Sequence, residues 1–129
     1  RNIYAPAILS PYAEEWMAQN FDDFLTTYDY TAIEAMPYME GAADHAGQWM
    51  ETLIAKVSAH PLGLRKTVFE LQAKDWRPDH LRPMPNDIMA KQMQQLLQHG
   101  ALNFGYYPDD PIMGHPDIGM ISHWFSIRN

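Results

Sequence analysis

The sequence predicts an α/β fold: a partial (half) TIM-type (β/α) barrel of about four parallel strands alternating with helices. Three observations predict it. Strand-like and helix-like segments alternate along the 129 residues. Four such units are about half of the ~250 residues that a complete (β/α)8 barrel takes. The competing architecture, a small four-stranded doubly wound sheet, has no phosphate-binding glycine loop to favour it, since G-x-G-x-x-G and Walker patterns are both absent. Residues 1–129 are read as one domain fragment, the C-terminal half of a barrel.

The first strand runs from Asn2 to Ala5 and is closed by Pro6. Ser10 then offers an N-cap with Pro11 at the first helical position. Met17, Phe21, Phe24, Leu25 and Tyr28 follow at helical spacing. A second strand spans Tyr30 to Met36 and stops at Pro37. Ala46, Trp49, Met50, Leu53, Ile54 and Val57 form the apolar stripe of the next helix. The turn Pro61-Leu62-Gly63 leads to the third strand, Thr67 to Gln72. A polar, proline-rich loop occupies Ala73 to Pro85. Asn86 or Asp87 can cap the third helix, whose stripe is Met89, Met93, Leu96 and Leu97, with Gly100 as its C′ residue. The fourth strand is Ala101 to Tyr106. The tail carries a helical turn near Ile118 to Ser122.

Bulk properties exclude several classes. The net charge of −7 leaves no basic stripe, which argues against nucleic acid as a partner. With no cysteine there is neither a disulfide framework nor a zinc-thiolate site. No apolar run approaches the ~18 residues of a membrane span. No signal peptide is visible, and the start at Arg1 reads as a cut-down fragment. The histidines His45, His60, His80, His99, His115 and His123 show no metal-pair spacing and read as surface or loop residues. No metal and no cofactor is expected. No G-x-S-x-G elbow supports serine-hydrolase chemistry.

The third strand, Lys66-Thr67-Val68-Phe69-Glu70-Leu71-Gln72, carries the chemistry. Val68, Glu70 and Gln72 share one face, and Thr67, Phe69 and Leu71 the other. A carboxylate inside such a strand is costly unless something pairs with it. Near the C-terminal end of a barrel strand it occupies a catalytic location. Glu70 is therefore the candidate catalytic residue, a general acid/base or nucleophile whose pKa burial would raise. Glycosidases need a second carboxylate, for which Glu40 and Asp109 are available here, or the other half of a barrel could supply it. Glu34 is read as a solvent-facing or cut-edge residue. The other strand ends mix acids with rings: Tyr38 and Glu40 after the second strand, Trp76 after the third, Tyr107 and Asp109 after the fourth. Rings stack on the apolar faces of sugars while carboxylates bind hydroxyls or amines. Tyr38, Glu40, Gln72, Trp76, Tyr107 and Asp109 are the candidate substrate-binding residues. Trp16, Trp49 and Trp124 read as packing, and the nine methionines as core filler.

With those segments in view, the chain resembles the C-terminal domain of the PgaB/HmsF family, bacterial poly-β-1,6-N-acetylglucosamine deacetylases. The residues that carry the resemblance are Asn2 to Ala5, Phe21 to Tyr30, Met36 to Gly41, Lys66 to Gln72 (KTVFELQ), Asp75-Trp76-Arg77, and Asn103 to Asp110 (NFGYYPDD). The resemblance implies a barrel-like domain that binds the partly deacetylated polysaccharide and hydrolyses it as a glycoside hydrolase, with Glu70 matching a family glutamate. It implies a periplasmic, outer-membrane-associated protein that exports biofilm polysaccharide through an outer-membrane porin. The deacetylase domain and the first barrel strands, with an aspartate-rich part of the site, would lie outside this chain. A non-catalytic module that holds the polymer for the deacetylase is the alternative. A half barrel exposes strand edges, so the fragment is expected to self-associate or to borrow strands.

Overall fold

The computed structural model describes residues 1–125. Four parallel strands, β1 (Asn2–Tyr4), β2 (Thr31–Ala35), β3 (Thr67–Gln72) and β6 (Asn103–Tyr107), form one sheet in sequential order. Between them lie the short helices α1 (Pro6–Leu9), α2 (Ala13–Met17) and α3 (Phe21–Thr27), the longer α4 (Ala46–Ser58), the single turn α5 (Gly63–Lys66), and α6 (Asn86–Gln98). A two-residue antiparallel ribbon pairs β4 (Lys74–Asp75) with β5 (Arg82–Pro83). Helix α7 (Ile118–Phe125) lies against α6.

Register makes the sheet two-sided. Ile3, Ile33 and Phe69 align across β1, β2 and β3, are fully buried, and continue to Phe104 on β6. They pack with Phe21 and Leu25 of α3, with Met50, Leu53, Ile54 and Val57 of α4, and with Met93 and Leu96 of α6. Burying a side chain such as Phe69 contributes roughly 1.5–3 kcal/mol. These helices all cover one face. The opposite row, Tyr4, Glu34, Glu70 and Gly105, stays uncovered. Sequential strand order with helices on a single face is barrel architecture; a doubly wound sheet reverses its strand order and is covered on both faces. The half-barrel reading is thus borne out.

Several boundaries differ from expectation, each for a local reason. The expected first helix is three short ones. Pro6 opens α1, and Ser10 closes that helix rather than capping the next. Ala18 takes a left-handed conformation (φ 50) that ends α2, and Asn20 Oδ1 then caps α3 by accepting from the Asp23 amide at 2.8 Å. Met17 therefore leaves the stripe and is exposed. Extended Pro85 holds the N-cap position of α6, so Asn86 and Asp87 fall in the first turn. Gly100 is the C′ residue, with φ +90. The Gly100 and Ala101 amides donate to Leu97 and Leu96 carbonyls, both at 3.0 Å, closing a Schellman motif. The 73–85 loop contains the β4–β5 ribbon, and the tail helix extends to Phe125.

Candidate functional site

Parallel pairing places Glu34 beside Glu70 on the uncovered face. Both face a cavity of about 450 Å³ whose walls are completed by Asn2, Met36, Met39, Trp76 and Tyr107. The Asn2 side-chain amide donates to Glu70 Oε2 at 3.4 Å, a long contact. Trp76 and Tyr107 stack at the rim, ring centroids 6.0 Å apart and planes 29° from parallel. A second cavity of about 420 Å³, lined by Arg1, Tyr4 and Gln19, shares Asn2 and Glu34 with the first. The two hollows adjoin at those residues on the uncovered face of the sheet, and the first is the main groove.

The groove is electrostatically strained. Burial holds the Glu34 carboxyl above the usual carboxylate range, and the negative charges of Glu70 and then Glu40 push it higher. Burial alone raises Glu70 and Glu40. Such a group retains a proton at a pH where an exposed glutamate has lost it, and it attracts cations when ionised.

The loops that shape this groove are tied together by named bonds. Gln72 is fully buried, accepts from the Met39 amide at 3.2 Å and donates to the Lys74 carbonyl at 2.8 Å. The Ala73 amide donates to the Tyr107 carbonyl at 2.8 Å, while the Ala73 carbonyl accepts from the Met84 amide and pairs with His115 Nε2, both at 2.9 Å. Asp75 is buried against Arg77, whose guanidinium lies 4.9 Å from the centre of the Tyr38 ring. Hydrogen bonds from the Arg77 side chain hold the Asp75 carboxyl below the usual range.

The expected site residues thus separate. Glu70, Trp76 and Tyr107 line the main cavity. Glu40 stands close enough to raise Glu34 by its charge. Gln72 braces backbone with both ends of its amide. Tyr38 sits under Arg77 and lines a different hollow, with Asp75 and Met84. Asp109 is exposed; burial raises the Tyr106 hydroxyl and the Asp109 charge adds to it.

Glu34 corrects the sequence reading. It lies on an interior strand, flanked by β1 and β3, and faces the cavity. A signal was present: Thr31-Ala32-Ile33-Glu34-Ala35 and Thr67-Val68-Phe69-Glu70-Leu71 share one pattern, and their residues pair one to one. Asn2, Met36 and Met39 carried no such signal. Trp49 packs against the core as expected, whereas Trp16 is 89% exposed. Trp124 falls where side chains are not described. His115, a loop residue, pairs with the Ala73 carbonyl and so ties two loops together. Among the described residues, no three His, Asp or Glu side chains are grouped to hold a metal ion.

Residues 1–107 match the family model described as hypothetical glycosyl hydrolase family 13. The chain belongs to that family. Two curated relatives, the poly-beta-1,6-N-acetyl-D-glucosamine N-deacetylases of Escherichia coli K12 and O157:H7, are each 40% identical over 128 residues. Those matches cover 98% of this chain and 19% of each relative, so the chain spans about a fifth of their length. The solved glycoside hydrolase domain of PgaB (BpsB) from Bordetella bronchiseptica superposes with a TM-score of 0.91 at 46% identity, covering 100% of this chain and 35% of that one. The resemblance carried by KTVFELQ and GYYPDD is therefore borne out, and this member of the glycosyl hydrolase family aligns with roughly a third of the solved domain.

Proposed function

We propose that this chain is the C-terminal half of a barrel domain that binds and hydrolyses partly deacetylated poly-β-1,6-N-acetylglucosamine. The observation that carries the reading is the register pair Glu34 and Glu70, set in a groove beneath the Trp76–Tyr107 stack. A glycosidase needs two carboxylates at the scissile bond, one keeping a proton for the leaving oxygen and one ionised. Glu70 is the acid/base residue. Glu34 is a second carboxylate within this chain, in a role for which the sequence suggested Glu40, Asp109 or a residue from the other half of the barrel. Trp76 and Tyr107 stack against sugar faces. Glu40 and Asp109 add negative charge that favours ammonium-bearing glucosamine units. In the intact protein this domain serves a periplasmic, outer-membrane-associated exporter of biofilm polysaccharide and works beside an N-deacetylase domain and an outer-membrane porin.

A second reading, a non-catalytic module that holds the polymer, draws support from the openness of the groove and the ring stack at its rim. The test uses the intact protein with Glu70→Gln and Glu34→Gln, following polymer length and polymer binding together. Cleavage lost with binding kept is the expected result. Unchanged cleavage in Glu70→Gln removes its catalytic role. Wild-type binding without any cleavage favours the module.

A further inference from the structure

Trp76 is a groove residue held between two side chains that bond to each other. Its two neighbours in sequence are joined across it. Asp75 Oδ1 accepts from the Arg77 amide at 3.1 Å and from Arg77 Nε at 2.9 Å. Asp75 Oδ2 accepts from Arg77 Nη2 at 2.7 Å. The carboxylate thus closes a turn over Trp76 and grips the guanidinium as a fork at the same time. The Asp75 side chain is only 3% exposed, that of Arg77 33%. The far side of the guanidinium rests on Tyr38, which belongs to the loop after β2, and the Asp75 backbone is held in the ribbon opposite Arg82. On the groove side the indole meets Tyr107, the last residue of β6.

A buried ion pair is a poor means of stabilising a fold, because desolvation offsets most of its attraction. It is a good means of holding one geometry, because the fork and the turn both require it. Resting this inference on the binding reading proposed above, we propose that Asp75 and Arg77 are positioning residues: they lock Trp76 against Tyr107 before ligand arrives, making a preformed sugar platform. Neither touches the groove. Their effect reaches it through the orientation of the indole. A ring that is already ordered loses less rotamer freedom when a sugar stacks on it, and releasing it weakens binding roughly threefold to tenfold. Lysine cannot replace Arg77, since it keeps the charge but neither the fork nor the flat face over Tyr38.

The test has two independent readouts in the intact protein. Tryptophans are labelled as 5-fluorotryptophan, and Trp76→Phe identifies the Trp76 resonance. Tyr107→Leu then fixes the part of its shift due to the stacked ring. In Arg77→Lys and Asp75→Asn the resonance is expected to move toward its Tyr107→Leu position and to broaden, while the other indole signals hold. An unmoved, sharp Trp76 resonance in both variants overturns the proposal, whatever the ligand does. Affinity for a partly deacetylated β-1,6-linked glucosamine oligosaccharide is the second readout, and a threefold to tenfold loss is expected. A displaced indole with undiminished affinity also overturns the platform role. If the wild-type protein binds no such oligosaccharide while the resonance moves as expected, the lock on Trp76 stands and the functional reading of the groove fails.

Discussion

Replacing Glu70 with glutamine tests whether the paired carboxylates repel. Parallel neighbours in a sheet are ~4.8 Å apart. Two charges at that spacing repel by about 1 kcal/mol in a water-like dielectric and roughly 3 kcal/mol at an effective dielectric of 20. Glu34 and Glu70 line an open groove, so the lower figure applies. Glutamine keeps the shape and can still accept from Asn2. Glu70→Gln is therefore expected to raise the unfolding free energy at pH 7 by about 1 kcal/mol. The pH dependence has a defined sign. Burial raises the native pKa of Glu34, Glu40 and Glu70 above the ordinary 4.5. Between 4.5 and the raised native values the folded state binds more protons than the unfolded one. The stabilisation is fully present below 4.5 and is lost as pH rises through the native values. In Glu70→Gln this decline is shallower, and the Glu34 carboxyl falls back toward its ordinary value while burial and Glu40 still hold it up. Urea unfolding from pH 4 to 8 of the wild type, both single variants and the double variant measures the effect. A coupling energy indistinguishable from zero, within about 0.3 kcal/mol, or a Glu70→Gln variant destabilised at pH 7, would refute the repulsive pair.

Three further outcomes follow from the packing. At Gly63 an added Cβ would stand 1.8 Å from the Val57 carbonyl oxygen. Gly63→Ala must therefore shift the α4–α5 junction, and thermal unfolding should show a loss of more than about 3 kcal/mol. Gln72→Leu removes the partners of the Met39 amide and Lys74 carbonyl and should cost roughly 2–4 kcal/mol, with amide exchange at Met39 faster than in wild type. The edges of β1 and β6 carry no further strand among the described residues. Concentration-dependent association by size-exclusion chromatography is expected for this chain alone, and a monomer at high concentration would count against it.

Much of the fold was legible because the apolar residues alternate with the right periods. The strands that carry Ile3, Ile33 and Phe69 were legible as strands, and the stripe from Met50 to Val57 was a helix by spacing. The first helical region was not, because Ala18 and Asn20 break it through backbone conformation and capping, which leave the hydrophobic period nearly intact. At the site, Glu70 stood out as a carboxylate in an apolar strand. Glu34 carries the same local pattern, but only the pairing of β2 with β3 shows that it lies beside Glu70.

The sequence alone determined the strand and helix alternation, the half-barrel class, the acid-and-ring composition of the strand ends and the kinship that KTVFELQ and GYYPDD reveal. Those properties are local: each depends on residue types and spacing within one segment. The tertiary structure decided which carboxylates share a groove, that Gln72 braces loops, and that Tyr38 supports Arg77 rather than lining the main cavity. Those depend on register between strands and on loops meeting across the rim. Residues far apart in the chain, such as Trp76 and Tyr107, become neighbours only when the sheet aligns them.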